Sequence, residues 1–331
     1  MRLLDHVAQC TVPFLIRQKC GDVWRLPGAA DFSQAVSQCP LRLVLTDELV
    51  RVCIELAHSQ GDELCGCLDL VHLPAERLWV EWSEPARLDA LRCVIPECVR
   101  ADGMDIERCG VLITCAESGR SGRLRTFFLT RDERREPLVA ALETLLELEA
   151  TRAPEHPGSL LKGGVVRVCD PQNEHLNGLL RCVRFRLDPA WQRYYGSALP
   201  DAGLGAQVAR LLISSVAFDI PMLLALFLLM TIRADLVRKA VKPERLNRKR
   251  ARFGRPPLLE HVEVSTPLLI QAGYRNTQRA VAVSARNGPR FHHVRGHIVR
   301  RHNTVYWRGP HWRGHLRLGR VRSRTVELRA Q

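Results

Sequence analysis

The side chains best equipped for chemistry lie near the end of the chain, where residues 291–324 read FHHVRGHIVRRHNTVYWRGPHWRGHLRLGRVRSR. Histidine, arginine, glycine and tryptophan alternate there at a density that a packed core cannot use. Arginines interleaved with aromatics offer phosphate contacts and stacking planes, and the imidazoles can hold a ligand or move a proton. The candidate set for binding nucleic acid or a partner is His292, Arg295, Gly296, His297, Arg300, Trp307, His311, Trp312 and Arg313. His292 and His297 are also the candidates for catalysis.

Two geometries are open to them. If residues 291–299 form one regular strand, His293, Arg295 and His297 share a face and His292 takes the other. A bulge at Gly296 shifts the register and can bring His292 beside His297. The first geometry makes a binding face, the second an imidazole pair. Near Arg295 such a pair could cleave RNA, one imidazole taking the 2′-hydroxyl proton and one protonating the leaving oxygen while the arginine stabilises the phosphorane. Zinc held by several of His292, His297, His311 and His315 would have no Cys or acidic ligand nearby. The balance favours a solvated basic face that contacts RNA or the ribosome. Trp307 and Trp312 then anchor a small sheet more than they stack on bases.

Charge points the same way. The chain carries 49 Lys+Arg against 35 Asp+Glu, a net +14, but the two signs are not evenly spread. From residue 233 onward there are 24 basic and 5 acidic residues, and the first 232 residues hold 25 against 30. Arginine outnumbers lysine 44 to 5. A codon bias would act along the whole chain, so it does not explain the asymmetry. A basic region of this kind implies an anionic partner, with nucleic acid the commonest.

Other classes lose ground. All 12 cysteines precede residue 183, and the pairs Cys65/Cys67, Cys93/Cys98 and Cys109/Cys115 lack regular CxxC spacing. Buried reduced thiols are expected, with no metal and a cytoplasmic setting. Asp5 and His6 interrupt the start where a signal peptide needs an apolar run. There is no Walker loop, GxGxxG or HExxH, so no cofactor is expected. The run IPMLLALFLLMTI at 220–232 has 13 residues without a charge, short of the ~20 that a span needs. It reads as a buried helix, and no membrane partner is expected.

The elements that must position the tail read as α+β: an N-terminal mixed α/β domain (1–152), a segment of strands and buried apolar helices (153–242), and a basic linker leading into a small His/Arg/Trp-rich β module (243–331). Thr46 caps a helix to about Ser59, with Leu49, Val52, Cys53 and Leu56 at helical spacing. Residues 64–70 and 77–82 read as strands. Residues 110–116 and 123–130 flank Glu117-Ser-Gly-Arg-Ser-Gly122 as a hairpin. Residues 136–151 read as a helix with a leucine face, 165–169 and 180–187 as strands, and 204–215 and 221–240 as helices. A basic helix end stops at Gly254 and the prolines beyond it, and 258–264 reads as a strand. In the tail, 291–301 turns at His302-Asn-Thr304 and returns as 305–307, with 325–328 as a possible third strand.

On these residues a resemblance enters. His292-x-x-Arg295-Gly296-His297, then Tyr306-Trp307 and Pro310-His311-Trp312-Arg313-Gly314, resembles the C-terminal module of a phage- and plasmid-borne family that includes type V-A anti-CRISPR proteins. Leu246-Asn-Arg-Lys-Arg-Ala-Arg-Phe-Gly-Arg-Pro-Pro-Leu258 is similar to a basic linker common in its broader phage relatives. The likeness covers roughly 245–315 and is looser upstream. It implies recognition of the nascent N-terminal peptide of a Cas effector, or of another host protein, followed by loss of the encoding messenger RNA. RNA or the ribosome would meet the basic module. Val294 stands where the anti-CRISPR member has another arginine. The alternatives are a ribonuclease-like toxin and a general RNA-binding module.

Overall fold

The computed structural model describes residues 1–10, 15–17, 23–25, 29–95, 105–116, 118–131, 137–149, 157–162, 164–166, 178–189, 191–192, 202–232, 236–266, 290–294, 296–301, 304–309 and 311–320. The chain forms two compact units, Met1–Thr266 and Pro267–Gln331. The fold is α+β. The first unit draws on all three segments read from the sequence. Its composition is nearly neutral, 35 Lys+Arg against 34 Asp+Glu, whereas the second unit holds 14 against 1.

In chain order the described elements of the first unit are α1 (Leu3–Ala8), β1 (Leu15–Arg17), β2 (Val23–Arg25), α2 (Ala29–Ser37), β3 (Leu41–Leu45), α3 (Asp47–Ser59), α4 (Gly61–Cys65), β4 (Arg77–Ser83), α5 (Glu84–Val94), β5 (Ile106–Cys115), β6 (Ser121–Thr130), β7 (Pro137–Glu147), β8 (Val165–Val166), β9 (Val183–Leu187), α6 (Ala202–Ala217), α7 (Asp219–Thr231), β10 (Val237–Val241), α8 (Glu244–Arg252) and β11 (His261–Ser265). Nine strands make one mixed sheet in the order β10-β11-β3-β4-β5-β6-β7-β9-β8. β11, β3 and β4 run parallel, and every other neighbouring pair is antiparallel.

Strand alternation explains how helices cover the sheet. β4 reads Leu-Trp-Val-Glu-Trp at 78–82, and all five residues are buried. Trp79 joins Val44, Leu112, Phe127 and Leu129 in a cluster closed by Leu3, Leu4 and Val7 of α1 and Val36 of α2. Glu81 shares that face. Its Oε1 accepts from Leu3 N at 3.0 Å and also from Arg108 Nε, and its Oε2 accepts from Leu4 N at 2.9 Å and Trp79 Nε1 at 3.2 Å. A fully buried carboxylate thus holds the first turn of α1, where backbone N–H groups have no helical acceptor.

Elsewhere in the first unit, α3 packs against α5 and α7. Arg87 of α5, itself buried, forks onto Glu84 at 2.7 and 2.6 Å, and its Nε lies 3.3 Å from Asp219 in the first turn of α7. Burial works against the Arg87 charge; Asp219 and Glu84 more than offset it, so its pKa stands above the usual guanidinium value.

Residues 207–231 are long and apolar enough to cross a membrane, and 72% of their most apolar window is buried inside the protein. Residues 219–229 are all buried.

Several expected elements stand. α3 begins after Thr46, whose Oγ1 accepts from Leu49 N at 3.5 Å. β4 matches 77–82, and β5 and β6 form the hairpin.

Three segments fold differently. The helix expected over 136–151 is not found in its described part: Pro137–Glu147 is β7, which pairs with β6 on one side and β9 on the other. Its leucines fit a strand buried on both faces as well as a helix face, and the open ladders decide. Residues 64–70 are not a strand but the end of α4 and a 3-10 turn at Leu68–Leu70. Arg120 Nη1 donates to the carbonyls of Leu68, Asp69 and Val71 at 2.8–2.9 Å, so this backbone is satisfied by a guanidinium in place of a neighbouring strand. The helix expected over 221–240 ends at Thr231, and Val237–Val241 instead pairs with β11.

Candidate nucleic-acid interface

In the second unit the described elements are β12 (Arg290–Val294), β13 (His297–Arg301), β14 (Thr304–Arg308), β15 (His311–Arg313) and β16 (His315–Arg320). β12 lies between β15 and β16, antiparallel to the first and parallel to the second. β13 and β14 form a separate antiparallel hairpin.

Residues 291–299 are therefore not one strand. Gly296 lies between β12 and β13, and Arg295 falls outside the described residues. The candidates divide between two ladders. In the first, His292 stands opposite Arg313, His293 opposite Trp312 and Val294 opposite His311. In the second, His297 stands opposite Arg308, Ile298 opposite Trp307 and Arg300 opposite Val305. His292 and His297 thus stand in different ladders, and the single regular strand is not the geometry adopted.

The hairpin has two distinct faces. Positions 297, 299 and 301 pair with 308, 306 and 304; positions 298 and 300 pair with 307 and 305. On the second face Ile298, Val305 and Trp307 are partly buried, which makes Trp307 an apolar anchor with Arg300 exposed at its margin. On the first face Arg301, Thr304, Tyr306 and Arg308 are exposed, beside partly buried His297 and Val299. Tyr306 is 39% exposed. A tyrosine flanked by two arginines and an imidazole, with no carboxylate in residues 290–320, can stack on a base and meet phosphates together.

Tyr306 and Arg308 were not in the candidate set. Period-2 reading of Thr304-Val-Tyr-Trp-Arg308 is the signal that finds them, because it groups 304, 306 and 308 apart from Trp307. Arg313 is exposed. The possible strand at 325–328 lies outside the described residues.

Comparison of the chain with protein-family models, with characterised proteins and with solved structures finds no match. Among the described residues no three of His, Cys, Asp and Glu gather in a way that could hold a metal ion.

The first unit carries a separate apolar groove of about 530 Å³, lined by Leu41, Leu43, His72, Met230, Arg238 and Ala240 among others. It lies beside β10, the edge strand of the nine-stranded sheet. Val237, Arg238, Lys239 and Ala240 of that strand are exposed, and among the described residues no strand pairs with its outer side.

Proposed function

We propose that this protein is a regulator of the type V-A anti-CRISPR kind. It recognises the N-terminal peptide of a Cas effector, or of another host protein, as that peptide is translated, and brings about loss of the message. The observation that carries the RNA half is the exposed face of the β13–β14 hairpin, where Arg301, Tyr306 and Arg308 stand together in a stretch, 290–320, whose sequence holds no Asp or Glu. The peptide half rests on the sequence resemblance. The groove beside β10 supports it, since an extended peptide can add to a free strand edge and set alternate side chains into an adjoining pocket.

The test is co-expression with a type V-A effector gene in a bacterium. Effector message falls, and the fall disappears when the first codons are recoded to change the peptide but persists through synonymous recoding. A fall that follows nucleotide sequence would refute peptide recognition, and no fall would remove this target. Combined Arg301→Gln, Tyr306→Ala and Arg308→Gln keeps peptide binding and loses silencing. Loss of both together would overturn the two-surface reading.

A further inference from the structure

The basic stretch after β10, read from the sequence as a linker, is an ordered arm of the first unit. α8 has no buried residue. Its chain is nevertheless held at several points. The Asn247 side chain brackets Leu258, donating to its carbonyl at 2.9 Å and accepting from its N–H at 2.8 Å. Arg250 Nε donates to Pro256 O at 2.8 Å. Gly254, at φ 62°, turns the chain so that Arg255 N reaches Arg250 O at 3.0 Å. The base of the arm is tied to α1, with Gln9 Nε2 on Pro257 O at 3.0 Å and Leu259 N on Asp5 Oδ1 at 2.8 Å.

This scaffold presents a specific pattern. Arg245, Arg248, Lys249 and Arg252 fall at helical spacings of three and four, so they line one face over about 10 Å of helix. All four are exposed. Like charges at that spacing oppose the helix that carries them, and a polyanion relieves the opposition. Arg250 is spent on the turn and stands outside this stripe. Phe253 follows directly and is 78% exposed, the most exposed large apolar side chain among the described residues. The cations are also local. Residues 242–255 hold seven Lys+Arg and one acid, whereas the rest of the first unit holds 28 against 33.

We infer that the α8 arm is a second nucleic-acid contact, which takes phosphates of a single strand on Arg245, Arg248, Lys249 and Arg252 and stacks one base on Phe253. A duplex fits less well, because its bases are already stacked and leave Phe253 without a partner. The inference rests on the RNA reading of the hairpin for the identity of the strand, and its test separates the two.

The probe is a fluorescently labelled, unstructured oligouridylate, titrated with full-length protein between 50 and 200 mM salt. Four phosphate contacts contribute about 2.8 to the slope of log affinity against log salt, or roughly fifty-fold across that range. The variant with Arg245, Arg248, Lys249 and Arg252 all changed to Gln should lose that contribution without losing helical circular dichroism or melting at a lower temperature, because these side chains are exposed and their like charges no longer oppose the helix. Phe253→Ala should weaken binding roughly 5- to 160-fold at constant slope. A slope unchanged in the quadruple variant would overturn the inference; if Arg301→Gln with Arg308→Gln still lowered affinity, the hairpin reading would survive alone. If the quadruple variant lost binding and the hairpin variant did not, the arm would stand and the hairpin reading would fall. Equal competition by duplex, with Phe253→Ala silent, would overturn the single-strand assignment. Equal competition by polyglutamate would do the same for nucleic acid as the partner.

Discussion

Glu81→Gln isolates the buried carboxylate that ties α1 to the sheet. Each oxygen of Glu81 serves two donors: Leu3 N and Arg108 Nε on one, Leu4 N and Trp79 Nε1 on the other. Glutamine keeps one oxygen and replaces the other with an NH2 group. Whichever way the amide turns, two donors then face a donor. Each unsatisfied group costs about 1–3 kcal/mol, and Arg108 also loses its counter-charge. Relaxation recovers part of this, which leaves a loss of about 3–5 kcal/mol. With a urea slope of about 3 kcal/mol/M, the unfolding midpoint should fall by roughly 1–1.7 M. Hydrogen exchange should accelerate beyond the change in global stability at one of the Leu3 and Leu4 amides, whichever faces the NH2 group, because its acceptor is the oxygen removed. A loss below about 1 kcal/mol with unchanged exchange would refute this account of how α1 is held.

Gly110→Ala places a Cβ 2.4 Å from Trp79 Cζ2, so the indole or β5 must move. The expected cost is about 1–3 kcal/mol or more by thermal melting, together with a changed tryptophan emission. Asn247→Ala removes both hydrogen bonds to Leu258 and should raise exchange at the Leu258 amide and open 253–257 to protease, with melting lowered by no more than a few degrees. Burial raises the Cys115 thiol to about 11, with Cys39 adding to the shift, and burial raises Cys53 further. A raised folded pKa gives stability that is complete below about pH 9, where unfolded thiols begin to ionise, and is lost as pH rises toward 11. Urea midpoints measured across that window should fall, and Cys115→Ala should flatten part of the decline.

The sequence was most legible where local chemistry and tertiary setting agree. Thr46 caps α3 and an apolar face follows at helical spacing, so no distant partner is needed to see it. The Ser-Gly turn between β5 and β6 is equally local. β7 was not legible because its leucines suit either period, and only the open ladders of β6 and β9 choose between them. The segment 64–70 was hidden for another reason. Its backbone is held by Arg120, some fifty residues away, which no local pattern announces. For the site, the tail's chemistry was visible in composition, but the division into two ladders was not. Nothing before Arg295-Gly296 says that a run of alternating polar and apolar residues will break there. The α8 arm shows the reverse case: its charges were plain, while the Asn247 bracket that makes them an ordered surface spans eleven residues and depends on Leu258 having already turned back.

The parallel pairing of β11 with β3 also sets a schedule for synthesis. About two hundred residues lie between these strands. At roughly 5–20 residues per second, the ribosome leaves one edge of β3 open for on the order of ten to forty seconds before β11 exists. In that interval the Leu-Arg-Leu-Val-Leu run of β3 offers unpaired backbone to any other emerging chain. Slower elongation lengthens the exposure, and dense polysomes multiply the number of open edges close to one another. Yield of soluble protein should therefore depend on how quickly translation passes from β3 to β11, with cotranslational aggregates seeded by β3 when it does not.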